Sequence, residues 1–230
     1  MYSMDGLLLM FFGIGITLWA QFKVKRTFKK YDEFVARSGV TADQIARDIL
    51  RRGGLDVSVE HVQGHLSDHY DPRDHTLRLS DSTFGNRSLA AIGVAAHEAG
   101  HAFQHAQGYV PLSLRSSLVP VANFGSMLGM PMVFAGVIFS SFSFLVPIGI
   151  VLFTFAVLFS LVTLPVEFNA SNRAIQILSD GGYLTPEEIP AARKVLNAAA
   201  LTYMASALVA VLELLRLLAM TGLLGGRSEE

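Results

Sequence analysis

SSLVPVANFGSMLGMPMVFAGVIFS, Ser116–Ser140, and FSFLVPIGIVLFTFAVLFSLVTLPV, Phe142–Val166, run without one charged side chain. Each exceeds the roughly 20 apolar residues that cross the hydrocarbon core of a bilayer. Two further stretches read the same way with less purity: Gly6–Phe22 is apolar but short, and Leu201–Leu224 is broken by Glu213 and Arg216. Of the 230 residues 51% are hydrophobic and 16% charged, too apolar a balance for a soluble domain of this size. The expected fold class is therefore a mainly α integral membrane protein with about four transmembrane helices. The spans are 6–22, 116–140, 142–166 and 201–224.

The first apolar stretch lacks a positively charged leader and a small-residue cleavage site, so it reads as a retained anchor. Lys23, Lys25, Arg26, Lys29 and Lys30 follow it directly, and the positive-inside rule places that flank in the cytoplasm with the N-terminus outside. A net charge of −1 gives no electrostatic basis for nucleic-acid binding, so no nucleic-acid partner is expected. With no cysteine, any metal must be held by histidine and carboxylate.

Residues 23–115 are the polar part, expected to form a cytoplasmic α+β catalytic region. Thr41–Arg52 reads as an amphipathic helix capped by Thr41 and ended by Gly53 and Gly54. Leu55–His61 alternates like a strand, and Leu66–Tyr70, a turn over residues 71–74, and Thr76–Leu79 form a hairpin. A helix is predicted over 88–107, with Ser88 as N-cap, Gly108 as C-terminal cap and Pro111 preventing its return. Residues 167–200 read as cytoplasmic helices, one starting at Thr185–Glu188, and the Gly225–Glu230 tail reads as disordered.

His97-Glu98-Ala99-Gly100-His101 matches H-E-x-x-H inside the helix predicted over 88–107. Spacing of i, i+4 puts both imidazoles on one helical face. Two zinc ligands follow, with Glu98 beside the first as the acceptor of a water proton. Chance produces such a short pattern, but a helix of mostly Ala and Val has little reason to hold two histidines and a glutamate without a partner. A third ligand is required. His105 lies about 12 Å along the helix axis from His97, too far for one ion, so it is expected near the site or in solvent. Glu167 is favoured: a membrane hairpin formed by the two central spans returns the chain near Pro165, beside the helix of His97 and His101. The alternative is a carboxylate that only marks a helix start at the membrane boundary.

Several stretches together resemble the YugP-like bacterial membrane zinc metallopeptidases, relatives of the heat-shock membrane protease and prenyl-protein endopeptidase group of gluzincins. They are Asp68-His69-Tyr70-Asp71-Pro72-Arg73, Arg78-Leu79-Ser80, Ser88-Leu89-Ala90-Ala91, Ala95 to Ala102, and Pro165-Val166-Glu167-Phe168. The resemblance implies one zinc ion per chain on His97, His101 and Glu167, with Glu98 as general base. Asn169 departs from it, standing where an Asp is expected; it can still accept a hydrogen bond from a ligand histidine. Related gluzincins place a substrate-pairing edge strand at His69-Tyr70, although a polar hairpin turn reads equally well. Tyr203, Arg173 and His105 are candidate oxyanion donors, Tyr203 foremost. His61, His65, His69 and His75 make a weaker candidate for a second metal site.

The expected function is a membrane-embedded zinc endopeptidase in the bacterial inner membrane, multi-pass, its site facing the cytoplasm. Its partners would be the lipid bilayer and a peptide or membrane-protein substrate; the oligomeric state is left open. An inactive zinc-binding scaffold is the alternative, and Glu98 discriminates, since a scaffold needs no base beside its ligand. A protease whose zinc helix itself spans the membrane is opposed by Arg87, Gln104, His105 and Gln107.

Overall fold

A computed structural model describes residues 4–222; the predicted disordered tail lies outside them. The helices are α1 (Met4–Asp32), α2 (Ala42–Arg52), α3 (Leu89–Ala106), α4 (Val110–Ile138), α5 (Leu145–Asp180) and α6 (Ile189–Met220). The strands are β1 (Ser58–Val62), β2 (His69–Asp71) and β3 (Thr76–Ser80). Helices α1, α4, α5 and α6 are each long and apolar enough to cross a membrane, so the expected number of spans holds.

Their lengths differ from expectation. The first span does not stop at Phe22 but continues as helix through the basic cluster to Asp32. The third span and the polar segment after it are one uninterrupted 36-residue helix, and the fourth span is continuous with the polar helix before it. A change from apolar to polar side chains ends a membrane segment without ending the backbone hydrogen-bond ladder. Pro111 follows the break between α3 and α4, as expected. It stands in the first turn of α4, where a missing N–H costs nothing. Gly108 does take the left-handed conformation, φ 61°, that separates α3 from α4.

The chain divides into two compact units. One contains α1 up to Trp19, Leu114–Leu164 of α4 and α5, and α6 from Tyr203. Its described residues from Gly6 on include only three charged side chains, Arg115, Glu213 and Arg216. Phe11, Phe124, Met127 and Val151 are exposed, as suits a surface solvated by hydrocarbon. Glycine sets the close packing of α4 on α5. A Cβ at Gly125 would lie 2.1 Å from the Leu152 carbonyl oxygen, and one at Gly149 2.6 Å from that of Gly129.

The second unit comprises Ala20–Ser113 and Pro165–Thr202. Its sheet has the order β1-β3-β2, with β1 parallel and β2 antiparallel to β3, so the predicted hairpin is present and β2 is an edge strand. Asp68 braces the hairpin by accepting from Ser80 N and Oγ at 2.8 and 2.9 Å. Ile45, Ile49 and Leu50 of α2, Leu77 and Leu79 of β3, Ile92 and Ala99 of α3, Leu178 of α5 and Leu196 of α6 form one buried core. Burial of this kind stabilises by about 25 cal/mol per Å² of apolar surface removed from water.

Candidate metal centre

The start of α3 is fixed before its site residues are placed. Ser88 Oγ accepts from Ala91 N at 3.1 Å, the capping bond its position predicts, and donates to Asp32 Oδ1 at 2.7 Å. The same Asp32 oxygen accepts from Asn86 Nδ2 at 2.7 Å, tying the segment before α3 to the end of α1. Downstream, Gly100 lets α3 approach α5: a Cβ there would stand 2.7 Å from the Ala170 carbonyl oxygen. Ala170 is three residues after Glu167. Backbone contact at Gly100 thus brings Glu167 opposite the histidine face of α3.

His97 Nε2 lies 3.2 Å and His101 Nε2 3.6 Å from Glu167 Oε2. The two imidazoles meet edge to face, centroids 4.7 Å apart. Side-chain exposure is 13% for His97, 11% for His101 and 4% for Glu167, so little water competes for these donors. Among the described residues this is the one group of at least three His or carboxylate side chains arranged to hold a metal ion, its ligand atoms all within 4.8 Å of one another. Zinc bonded at about 2.0–2.2 Å in tetrahedral geometry separates neighbouring donors by about 3.3–3.6 Å. The separations to Glu167 fall on that scale, and two imidazoles with one carboxylate leave a fourth position open. Burial disfavours the charged form of His101, but Glu167, Glu98 and the accepting Gln104 oxygen outweigh it and raise its pKa above the ordinary imidazole value.

Glu98 is buried and is not one of the three metal-holding side chains. Its Oε2 accepts from the Tyr70 backbone N–H at 3.0 Å, which joins edge strand β2 to α3. Glu167 lies well inside α5, so it does not mark a helix start.

The other predicted residues fall around the centre unequally. His105 is outside the metal-holding group: its Nδ1 meets Tyr70 Oη at 2.9 Å and its ring packs against His75. Asn169 does not touch a ligand histidine, contrary to expectation. Its Oδ1 accepts from Gln104 Nε2 at 2.9 Å and from Arg173 Nε at 2.7 Å. Asn169 is two residues after Glu167, roughly 200° around α5, and Gln104 connects it to His101. Arg173 also donates to Gln107 Oε1 at 2.7 Å, so both of these bonds hold it against its neighbours. His69 is exposed with Nδ1 2.9 Å from its neighbour's carbonyl, Ser67 O. Tyr203 lies on α6 in the other unit. The four histidines of the suggested second site part company: His61 pairs with Asp81 and His65 meets Phe28 edge to face, while His69 and His75 keep the partners above.

Two contacts of His97 and His101 involve residues outside the H-E-x-x-H motif. Ser171 Oγ is 3.1 Å from His97 Nδ1, and Gln104 Oε1 is 3.0 Å from His101 Nδ1. Ser171 is i+4 from Glu167 and Gln104 is i+3 from His101, so helical periodicity puts each on the face of its ligand. A glutamine in an otherwise alanine-rich buried stretch is itself a signal.

Two imidazoles and a carboxylate, with a second carboxylate next in sequence to the first histidine, make a donor set that could hold a metal ion. The chain belongs to the family described as "Putative neutral zinc metallopeptidase", whose pattern matches residues 6–222. It is 48% identical over 217 residues to the "Putative membrane protease YugP" of Bacillus subtilis (strain 168), covering 94% of this chain and 95% of that one. No solved structure matches it.

Proposed function

We propose that the protein is a membrane-embedded zinc endopeptidase in which Glu98 is the general base. The carrying observation is the convergence of His97, His101 and Glu167 on one point, with Glu98 held beside them at the edge strand. Zinc bound there supplies a Lewis acid that polarises the scissile carbonyl and acidifies the attacking water. His97 and His101 offer Nε2, and Glu167 offers Oε2. Glu98 takes the water proton and passes it to the leaving amine. Strand β2 pairs with β3 on one side only, so an extended peptide can add to its outer edge next to Glu98. Tyr203 is retained from the sequence as the proposed oxyanion donor.

The site is assigned to the cytoplasmic side of a bacterial inner membrane, with peptide or membrane-protein substrates. In support, the basic cluster Lys23–Lys30 belongs to the same compact unit as His97, Glu98 and Glu167. A single Cys introduced near Asp71 should stay unlabelled by a membrane-impermeant reagent in intact cells; labelling there reverses the orientation.

Glu98→Gln tests the mechanism because it keeps shape and removes basicity. Zinc per chain should be unchanged while peptide hydrolysis falls by about 10²-fold or more. Wild-type cleavage by that variant refutes the base assignment. A wild type that binds zinc but cleaves no substrate offered favours an inactive scaffold.

A further inference from the structure

Gln104 is fully buried three residues after His101, and each polar atom of its amide has a partner. Nε2 donates to the Val166 carbonyl at 2.8 Å and to Asn169 Oδ1 at 2.9 Å, while Oε1 faces His101 Nδ1 at 3.0 Å. The ends of this chain have fixed polarity. A backbone carbonyl only accepts, so the NH2 of Gln104 must face Val166. The Arg173 guanidinium only donates, so the Asn169 oxygen must face Arg173 Nε, 2.7 Å away, and is thereby also presented to Gln104. Turning the Gln104 amide over would set its oxygen against two acceptors, one buried and one half-buried, at a cost of about 1–3 kcal/mol for each buried group left unpaired.

From this geometry we infer that Gln104 is a positioning residue that presets His101 as an Nε2 ligand. With Oε1 obliged to accept, neutral His101 carries its proton on Nδ1, and the Nε2 lone pair is aimed at Glu167 and the metal position. His97 has no such constraint. Its Nδ1 partner is the Ser171 hydroxyl, which can donate or accept. One ligand is thus oriented before metal arrives, and the other is free to adjust its tautomer on binding. The inference rests on the metal-centre reading given above but not on peptidase activity.

The test uses the full chain in detergent with 15N-labelled histidine, the His101 signals being assigned by replacing the other histidines singly. In zinc-free protein, in buffer alkaline enough to keep the imidazoles neutral, His101 should show a protonated Nδ1 and a bare Nε2. A His101 proton on Nε2, or an even mixture, overturns the inference. Gln104→Met keeps an unbranched side chain of similar length without the acceptor. It should abolish the His101 preference and weaken zinc binding, measured by chelator competition, by about 10- to 100-fold, whereas Ser171→Ala should weaken it less. Unchanged affinity in Gln104→Met, or a greater loss in Ser171→Ala, also overturns it. Should Gln104→Met fail to fold, the wild-type tautomer decides alone. If wild-type protein binds no zinc, the metal-centre reading falls while the tautomer still judges the preset.

Discussion

Leu114–Leu164 contains one charged residue, Arg115, whereas Ala20–Ser113 contains the basic cluster, the edge hairpin and most of the ligand set. The difference is one of solvent. Where hydrocarbon surrounds the helices, burial of apolar groups supplies little drive, and close backbone approach at Gly125, Gly129 and Gly149 carries the packing. Where water surrounds the unit, a conventional core forms around Leu77, Leu79 and Ile92, and buried polar side chains are held in hydrogen-bonded chains. The same device, a glycine at a helix contact, serves different ends in the two. Gly125 lets α4 and α5 touch, and Gly100 lets α3 approach α5 beside Glu167.

The sharpest break between the units concerns metal. Glu167→Gln should remove most bound zinc, because the one anionic ligand of the three is lost, whereas His105→Ala should leave zinc content nearly unchanged, its Nδ1 being engaged with Tyr70. Elemental analysis of the purified variants checks both. Normal zinc in Glu167→Gln removes it from the ligand set.

A smaller effect is expected at Gly100. In Gly100→Ala the new methyl would meet the Ala170 carbonyl oxygen at 2.7 Å, so α5 must shift and carry Glu167 with it. Zinc affinity should fall by roughly 10-fold, on the scale seen when ligand orientation is disturbed. Gly93→Ala is the control, since its Cβ would make an ordinary 3.4 Å contact with Ala192. Equal affinities for the two variants would mean that the α3–α5 approach does not set the ligand geometry.

The two units were also unequally legible in the sequence. Absence of charge revealed the helices of the membrane-type unit, and i, i+4 spacing revealed His97 and His101, because each is a local pattern. Glu167 is not visible in local spacing and follows from where a helical hairpin must return and from the family resemblance. The continuity of α5 across Val166–Glu167 was hidden because hydropathy changes there and backbone conformation does not. Gln104 and Ser171 were not singled out as partners of the ligand histidines: their roles depend on the approach of α3 to α5, which Gly100 permits but does not announce. The parallel pairing of β1 with β3 is likewise a tertiary fact, since both strands alternate similarly whichever way they run.

The smallest expected effect lies in the apolar unit and should leave zinc untouched. Gly125→Ala would force a Cβ to 2.1 Å from the Leu152 carbonyl oxygen, a clash with backbone that no rotamer change relieves. Moving α4 from α5 to relieve it should cost about 1–3 kcal/mol, the usual range for overpacking. Gly15 belongs to the same unit, but a Cβ there meets nothing within 4 Å, so Gly15→Ala should be neutral or slightly stabilising through helix propensity alone. Unfolding of the detergent-solubilised variants, followed by circular dichroism beside zinc content, separates the contributions. A destabilised Gly125→Ala with full zinc keeps the two units distinct in what they do. Loss of zinc in Gly125→Ala would instead mean that helix packing among apolar residues governs the metal centre, and the contrast between the units would fail.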